Sequence, residues 1–224
     1  MKKLFLLAGI IAAGFEFSYS QNIPVSGEKV NYVQVITKRA EKIVSVLGIT
    51  DSAKFKRVQD IVINQYENLS AVHDGRNAKV KEIKEQPGVD KTAAYSQIAA
   101  IDSNVDVQLN NLHVQYLSKL SHELTSAQIE AVKDAMTYKI LPLTYNAYLN
   151  ELPALTDTQK SQIKTWLTEA RECAIDAESS EKKHAWFGKY KGRINNYLSA
   201  QGYDMKKAGQ EWQKRLKEKA GEKG

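Results

Sequence analysis

From Ile98 to Leu120 the apolar residues recur at steps of three and four: Ile98, Ile101, Val105, Leu109, Leu112, Tyr116 and Leu120. Those steps keep seven side chains on one face of a helix, whereas a strand turns successive residues to opposite faces. The same spacing runs through nearly the whole chain, with no convincing period-two segment. An all-α fold follows. A single cysteine, Cys173, cannot form a disulfide within the chain, so the fold must rest on its core. At 42% hydrophobic and 26% charged residues the composition is globular rather than disordered.

The pattern predicts an antiparallel helical bundle of about seven helices with one long central helix. The first spans Glu28 to Leu47 and carries Val30, Val33, Ile36, Ala40, Ile43 and Leu47 on one face; Gly48 ends it. The second starts near Asp51 with Phe55, Val58, Val62, Tyr66 and Leu69, and is expected to break at Gly75 before Pro87-Gly88 stops it. Asp90 caps the third and longest. A helix from Ser126 to Ile140, a Pro-bounded segment LPLTYNAYLNELP, and helices at 157–177, 182–201 and 205–219 complete the set. Thr125 with Gln128, and Thr156 with Gln159, have capping-box spacing. Residues 21–224 are expected to form one domain.

The N-terminus reads as an export signal. Lys2 and Lys3 precede the apolar run LFLLAGIIAAGF, and small residues at Ser18 and Ser20 suit cleavage before Gln21. The run is shorter than the about 20 residues a membrane helix needs, so no transmembrane anchor is expected and the mature chain is placed in a periplasm or secreted. Loss of residues 1–20 leaves a net charge of +5, of which residues 205–224 hold +4. That basic tail is a solvated helix end or a weak contact for anionic surfaces; no nucleic-acid partner is expected.

The stretch KKHAWFGKYKGRINNYLSAQGYD gathers the aromatics. On a helical wheel Trp186, Phe187, Tyr190, Ile194, Tyr197 and Leu198 share a core face. Gly188 and Gly192 lie on a small-residue arc, which suggests a close backbone or a flat ligand. Lys182, Lys189 and Arg193 flank Trp186, where Arg193 suits a sugar carboxylate and Trp186 a sugar ring; a solvated helix face is the plainer reading. Two further stretches compete. His73, Asp74 and Arg76 would converge at the expected break near Gly75, or simply form a turn. Tyr138, Tyr145, Asn146 and Tyr148 crowd around Pro142 as a pocket or as packing.

Other chemistry finds little support. His73, His113, His122 and His184 show no ligand spacing, so no metal and no cofactor are expected. Cys173 falls near an apolar face, as a small buried thiol does. Glu169, Glu172 and Asp176 share a face opposite the apolar stripe of their helix, the pattern of a solvated face rather than a hydrolytic carboxylate pair.

The runs SSEKKHAWFGKYKGRINNYLSAQGYD, MTYKILPLTYNAYLNELP and KRAEKIVSVLGI resemble secreted bacterial proteins of the domain of unknown function 3826 family, over nearly the whole mature chain. The resemblance implies a setting among polysaccharide-degrading and polysaccharide-importing systems, pectin-related ones included, and supplies no reaction or site. The expected function is therefore an accessory that binds or helps process polysaccharide fragments. Two alternatives stay open. The Leu-Thr-x-x-Gln helix starts resemble those of small periplasmic stress chaperones, which suggests an envelope interaction protein. An uncharacterised lyase or hydrolase would have to use His73, Glu169 or His184.

Overall fold

The computed structural model describes residues 28–221; the export signal read at residues 1–20 lies outside them. Eight helices follow one another: α1 (Glu28–Ser45), α2 (Ser52–Glu85), α3 (Lys91–Glu123), α4 (Ser126–Met136), α5 (Ile140–Glu151), α6 (Asp157–Ile175), α7 (Ser180–Ala200) and α8 (Met205–Gly221). No strand occurs among the described residues. The bundle is all-α.

Three expectations need correction. The Pro-bounded segment is itself a helix, α5, because Pro142 sits in its first turn, where a missing N–H removes no intrahelical bond. Its predecessor α4 stops at Met136, where Tyr138 and Lys139 turn left-handed at φ 58° and 56°. And α2 does not break at Gly75. It runs 34 residues against 33 in α3, so the single long helix is in fact a long pair. A glycine costs a helix about 1 kcal/mol, and tertiary bonds from His73 and Arg76 on either side outweigh it.

The helix ends are built as their residues dictate. Thr125 with Gln128 and Thr156 with Gln159 form complete capping boxes. Asp51 and Asp90 accept from the first free N–H groups of α2 and α3. After α7 the Tyr203 N–H reaches the Leu198 carbonyl and the Gly202 N–H reaches Ser199, a Schellman closure that needs the φ of +91° at Gly202. Asp204 then accepts from the Lys207 N–H to begin α8.

Two apolar clusters hold the bundle. The first joins α1, the start of α2, the end of α3 and α4 through Ala40, Val44, Val58, Val62, Leu120 and Val132, and it reaches Ile175 at the end of α6. The second joins α5 to α8 through Leu141, Tyr148, Ile163, Leu167, Phe187, Ile194 and Leu198. The stripe of α3 is unevenly covered. Tyr116 and Leu120 are buried, while Ile98, Ile101, Val105, Leu109 and Leu112 are half-buried. Their helix has left the first cluster there and pairs with α2. A cleft opens where the α2–α3 pair faces the α6–α7 pair.

Candidate functional site

The cleft has a volume of about 740 Å³ and draws its walls from four helices and the α6–α7 turn. From α2 come His73 and Arg76; from α3 Asp102, Val105, Asp106, Leu109, Asn110 and His113. The α6 side supplies Glu172, Cys173 and Asp176, followed by Ala177 and Glu178, and α7 supplies Lys182 and Trp186. Two sequence-predicted groups, separated by about a hundred residues, thus meet in one place. His73 and Arg76 face the Trp186 edge.

An ionic network runs from the lining residues His113, Glu172 and Asp176 to Arg171, Lys133, Asp134 and Glu130 behind them. Arg171, only 3% exposed, donates to Asp134 at 2.7 Å, to Glu172 at 3.1 Å and to Glu130. Lys133 adds bonds to Glu130 at 3.2 Å and Glu172 at 3.1 Å. His113 stands between Asp176, 2.6 Å from its Nδ1, and Glu172, 3.5 Å from its Nε2. Gln65 Nε2 donates to the other Asp176 oxygen at 3.3 Å. The Asp176 carbonyl lies 2.9 Å from His73 Nε2, which must carry the proton, since a carbonyl only accepts.

The solvated-face reading of Glu172 and Asp176 is overturned here. They do lie away from the apolar stripe of α6, but α3 brings His113 against both and α4 brings Lys133 to Glu172, where Arg171 of α6 itself also pairs. Burial pushes the Glu172 carboxyl up, yet hydrogen bonds from His113 and Lys133, with Arg171 behind, bring it down to about 2. The Asp176 and Glu172 carboxylates raise His113 to about 9, so the imidazole is cationic at neutral pH. Cys173 is half-buried at the cleft wall rather than sealed in the core, and burial pushes its thiol up. A protonated thiol is a poor nucleophile.

The charged His113 gives a pH prediction. A folded value near 9 against about 6.5 unfolded means its contribution is full below pH 6.5 and is lost as pH rises through 9. Allowing for solvent screening, that contribution is about 2 kcal/mol. Lys183 acts with the opposite sign. Burial pulls its ammonium down to about 8, so stability is gained as pH rises from there toward 10.5. Urea unfolding at pH 6 and pH 9 should therefore show a wild-type loss that His113→Gln lacks, the Lys183 contribution being common to both chains. Equal pH profiles for the two would refute the pairing.

Residues 33–218 match the family model for proteins of unknown function, DUF3826. The chain belongs to this family. No curated protein was found to match it.

The remaining sequence-predicted residues of this DUF3826 chain lie off the cleft. Tyr148 is buried, its hydroxyl donating to Asn195 at 2.7 Å. Tyr145 packs against the second cluster, and Asn146 is exposed. Tyr138 stacks on His184 with ring centroids 5.5 Å apart. Arg193, read as a carboxylate donor, instead lies 4.5 Å over the Trp166 ring and pairs with Glu169 at 3.5 Å. Lys189 sits 5.0 Å over the Trp186 ring, and Asp74 accepts from Ser70. At Gly188 and Gly192 an added Cβ would meet nothing within 4 Å, so the expected close approach of a backbone is absent. Nothing in the structure requires glycine there.

Several cleft residues escaped the sequence reading, although a signal was present. Asp102, Asp106, Asn110 and His113 follow one another at helical steps beside the apolar stripe of α3. A polar stripe of that length alongside a core face marks a wall shared by protein and solvent. Among the described residues no group of three or more His, Cys, Asp or Glu could hold a metal ion. No described helix is long and apolar enough to cross a membrane.

Proposed function

We propose that this protein is an exported accessory of polysaccharide use that binds plant-type glycan fragments in the cleft between α2–α3 and α6–α7. The observation that carries the reading is the meeting of Trp186 with His73 and Arg76 in one cleft of about 740 Å³ whose walls mix polar and apolar side chains. That volume lies within the about 300–1,000 Å³ usual for small-ligand sites. An indole offers a flat apolar partner to the C–H face of a pyranose, and Asn110, Arg76 and His73 offer hydrogen bonds to hydroxyls. Export rests on residues 1–20, and the glycan class on the setting that the family resemblance implies.

The binding is noncovalent. His113 is held cationic between two carboxylates and the Cys173 thiol is pushed up, so neither is a ready base or nucleophile at neutral pH. Glu169 and His184, two of the three residues an enzyme reading would use, do not line the cleft. A thermal-shift panel of plant oligosaccharides tests the proposal. One glycan class should stabilise the protein saturably, by about 2.7 kcal/mol at a hundredfold excess over Kd, which is several degrees in Tm. Trp186→Ala should abolish the shift, while Tyr145→Ala, off the cleft, should keep it.

A separate observation favours the interaction-protein reading as second choice. On the side of α3 turned from the cleft, Ala93, Gln97, Ala100, Asn104, Val107, Asn111 and Val114 are exposed and uncharged. Solvated helix faces usually carry charge. No glycan shift at all would move the assignment to that face.

A further inference from the structure

We infer that the cleft takes uncharged saccharides and discriminates against uronates, an inference that rests on its reading as a glycan site. Five carboxylates line it, from Asp102, Asp106, Glu172, Asp176 and Glu178, against the cations Arg76, Lys182 and His113. Most of the positive charge is already committed. Arg76 pairs with Asp102 at 2.8 Å, and His113 lies between Asp176 and Glu172. Arg193, the guanidinium suited on sequence grounds to a sugar carboxylate, is turned to Glu169 and Trp166. Among the described residues Lys182 is the one lining cation without an ion pair.

Two carboxylates are differently placed. Asp106 makes no ion pair among the described residues, and Glu178 receives only the Asn77 amide, 2.6 Å from its Oε1. An ionised carboxylate accepts hydrogen bonds and donates none. Its natural neutral partner is a pair of sugar hydroxyls, whose O–H···O⁻ bonds are the strong, charge-assisted kind. A uronate brings a further negative group beside Asp106 and Glu178, the two lining carboxylates that make no ion pair among the described residues. Hydroxyls are attracted where carboxylates are repelled. Asp106 and Glu178 are therefore assigned as hydroxyl acceptors, with Trp186 as the stacking ring.

The test compares a neutral galactan tetrasaccharide with a galacturonan tetrasaccharide by titration calorimetry, at low and at physiological ionic strength. The neutral sugar is expected to bind about tenfold more tightly, with the gap narrowing as salt screens the repulsion. Asp106→Asn with Glu178→Gln should weaken the neutral sugar and strengthen the uronate; both sites are exposed, and an unchanged melting curve confirms the fold. Uronate binding equal to or tighter than neutral binding would overturn the inference and leave the glycan site standing. So would a double variant with both affinities unchanged. Binding of neither sugar overturns the site itself together with the inference.

Discussion

Arg171→Met is expected to lower folding stability by about 3–5 kcal/mol, the usual cost of breaking a buried ion pair from one side. The methionine stem replaces most of the volume, so packing is nearly conserved and the loss is electrostatic. Burial alone would disfavour the Arg171 charge, but hydrogen bonds to Asp134 and Glu130 raise its pKa. Without it, Asp134 loses its ion pair, Glu130 keeps only Lys133, and Glu172 keeps Lys133 and His113. The three carboxylates come from α4 and α6, so their repulsion acts across the contact between the two halves of the bundle. Urea denaturation at neutral pH measures the loss. Arg171→Lys should fall between, since an ammonium restores charge without the fork that reaches three partners. A loss under about 1 kcal/mol for the Met variant would mean that solvent reaches the network and screens it.

Phe187→Ala should cost a similar amount, about 3–5 kcal/mol, for a different reason. The ring is 1% exposed, the largest of the fully buried side chains, and stands in the cluster that joins α5 to α8. Truncation loses the transfer energy of the ring and leaves a cavity that α6 and α7 close only in part. Phe187→Leu, nearer in volume, should cost less. Because Trp186 is the next residue on α7, the alanine variant should also loosen the cleft wall. A single cooperative transition in both chains is expected if residues 21–224 form one domain. Separate transitions, with only one moved by Phe187→Ala, would divide the two clusters into independent units.

Helix identity was legible at every level of the chain. The steps of three and four, the capping boxes at Thr125 and Thr156, and the glycines Gly48, Gly88 and Gly202 all act within a few residues of themselves. Such short-range rules survive packing. Where the reading failed, a contact from far along the chain intervened. Gly75 looked like a break because its local cost was counted without the bonds that His73 and Arg76 make with partners outside their own helix. Glu172 and Asp176 looked solvated because a helical wheel sees only its own helix, and His113 and Lys133, which meet them, stand on α3 and α4.

The candidate site divides in the same way. Trp186, His73 and Arg76 were identifiable one by one as polar or aromatic side chains near helix edges. Their meeting in one cleft was not, and neither was the separation of Arg193 and the Tyr138–Tyr148 segment from it. Spacing determines which face of a helix a residue occupies, because backbone hydrogen bonds set the period. What that face looks onto depends on which helices touch, and that is decided by the fit of whole apolar surfaces. The sequence by itself therefore determined an all-α chain and the ends of most of its helices. Only the tertiary structure decided that α2–α3 faces α6–α7, which set His113 between carboxylates and left Asp106 and Glu178 outside its ion pairs.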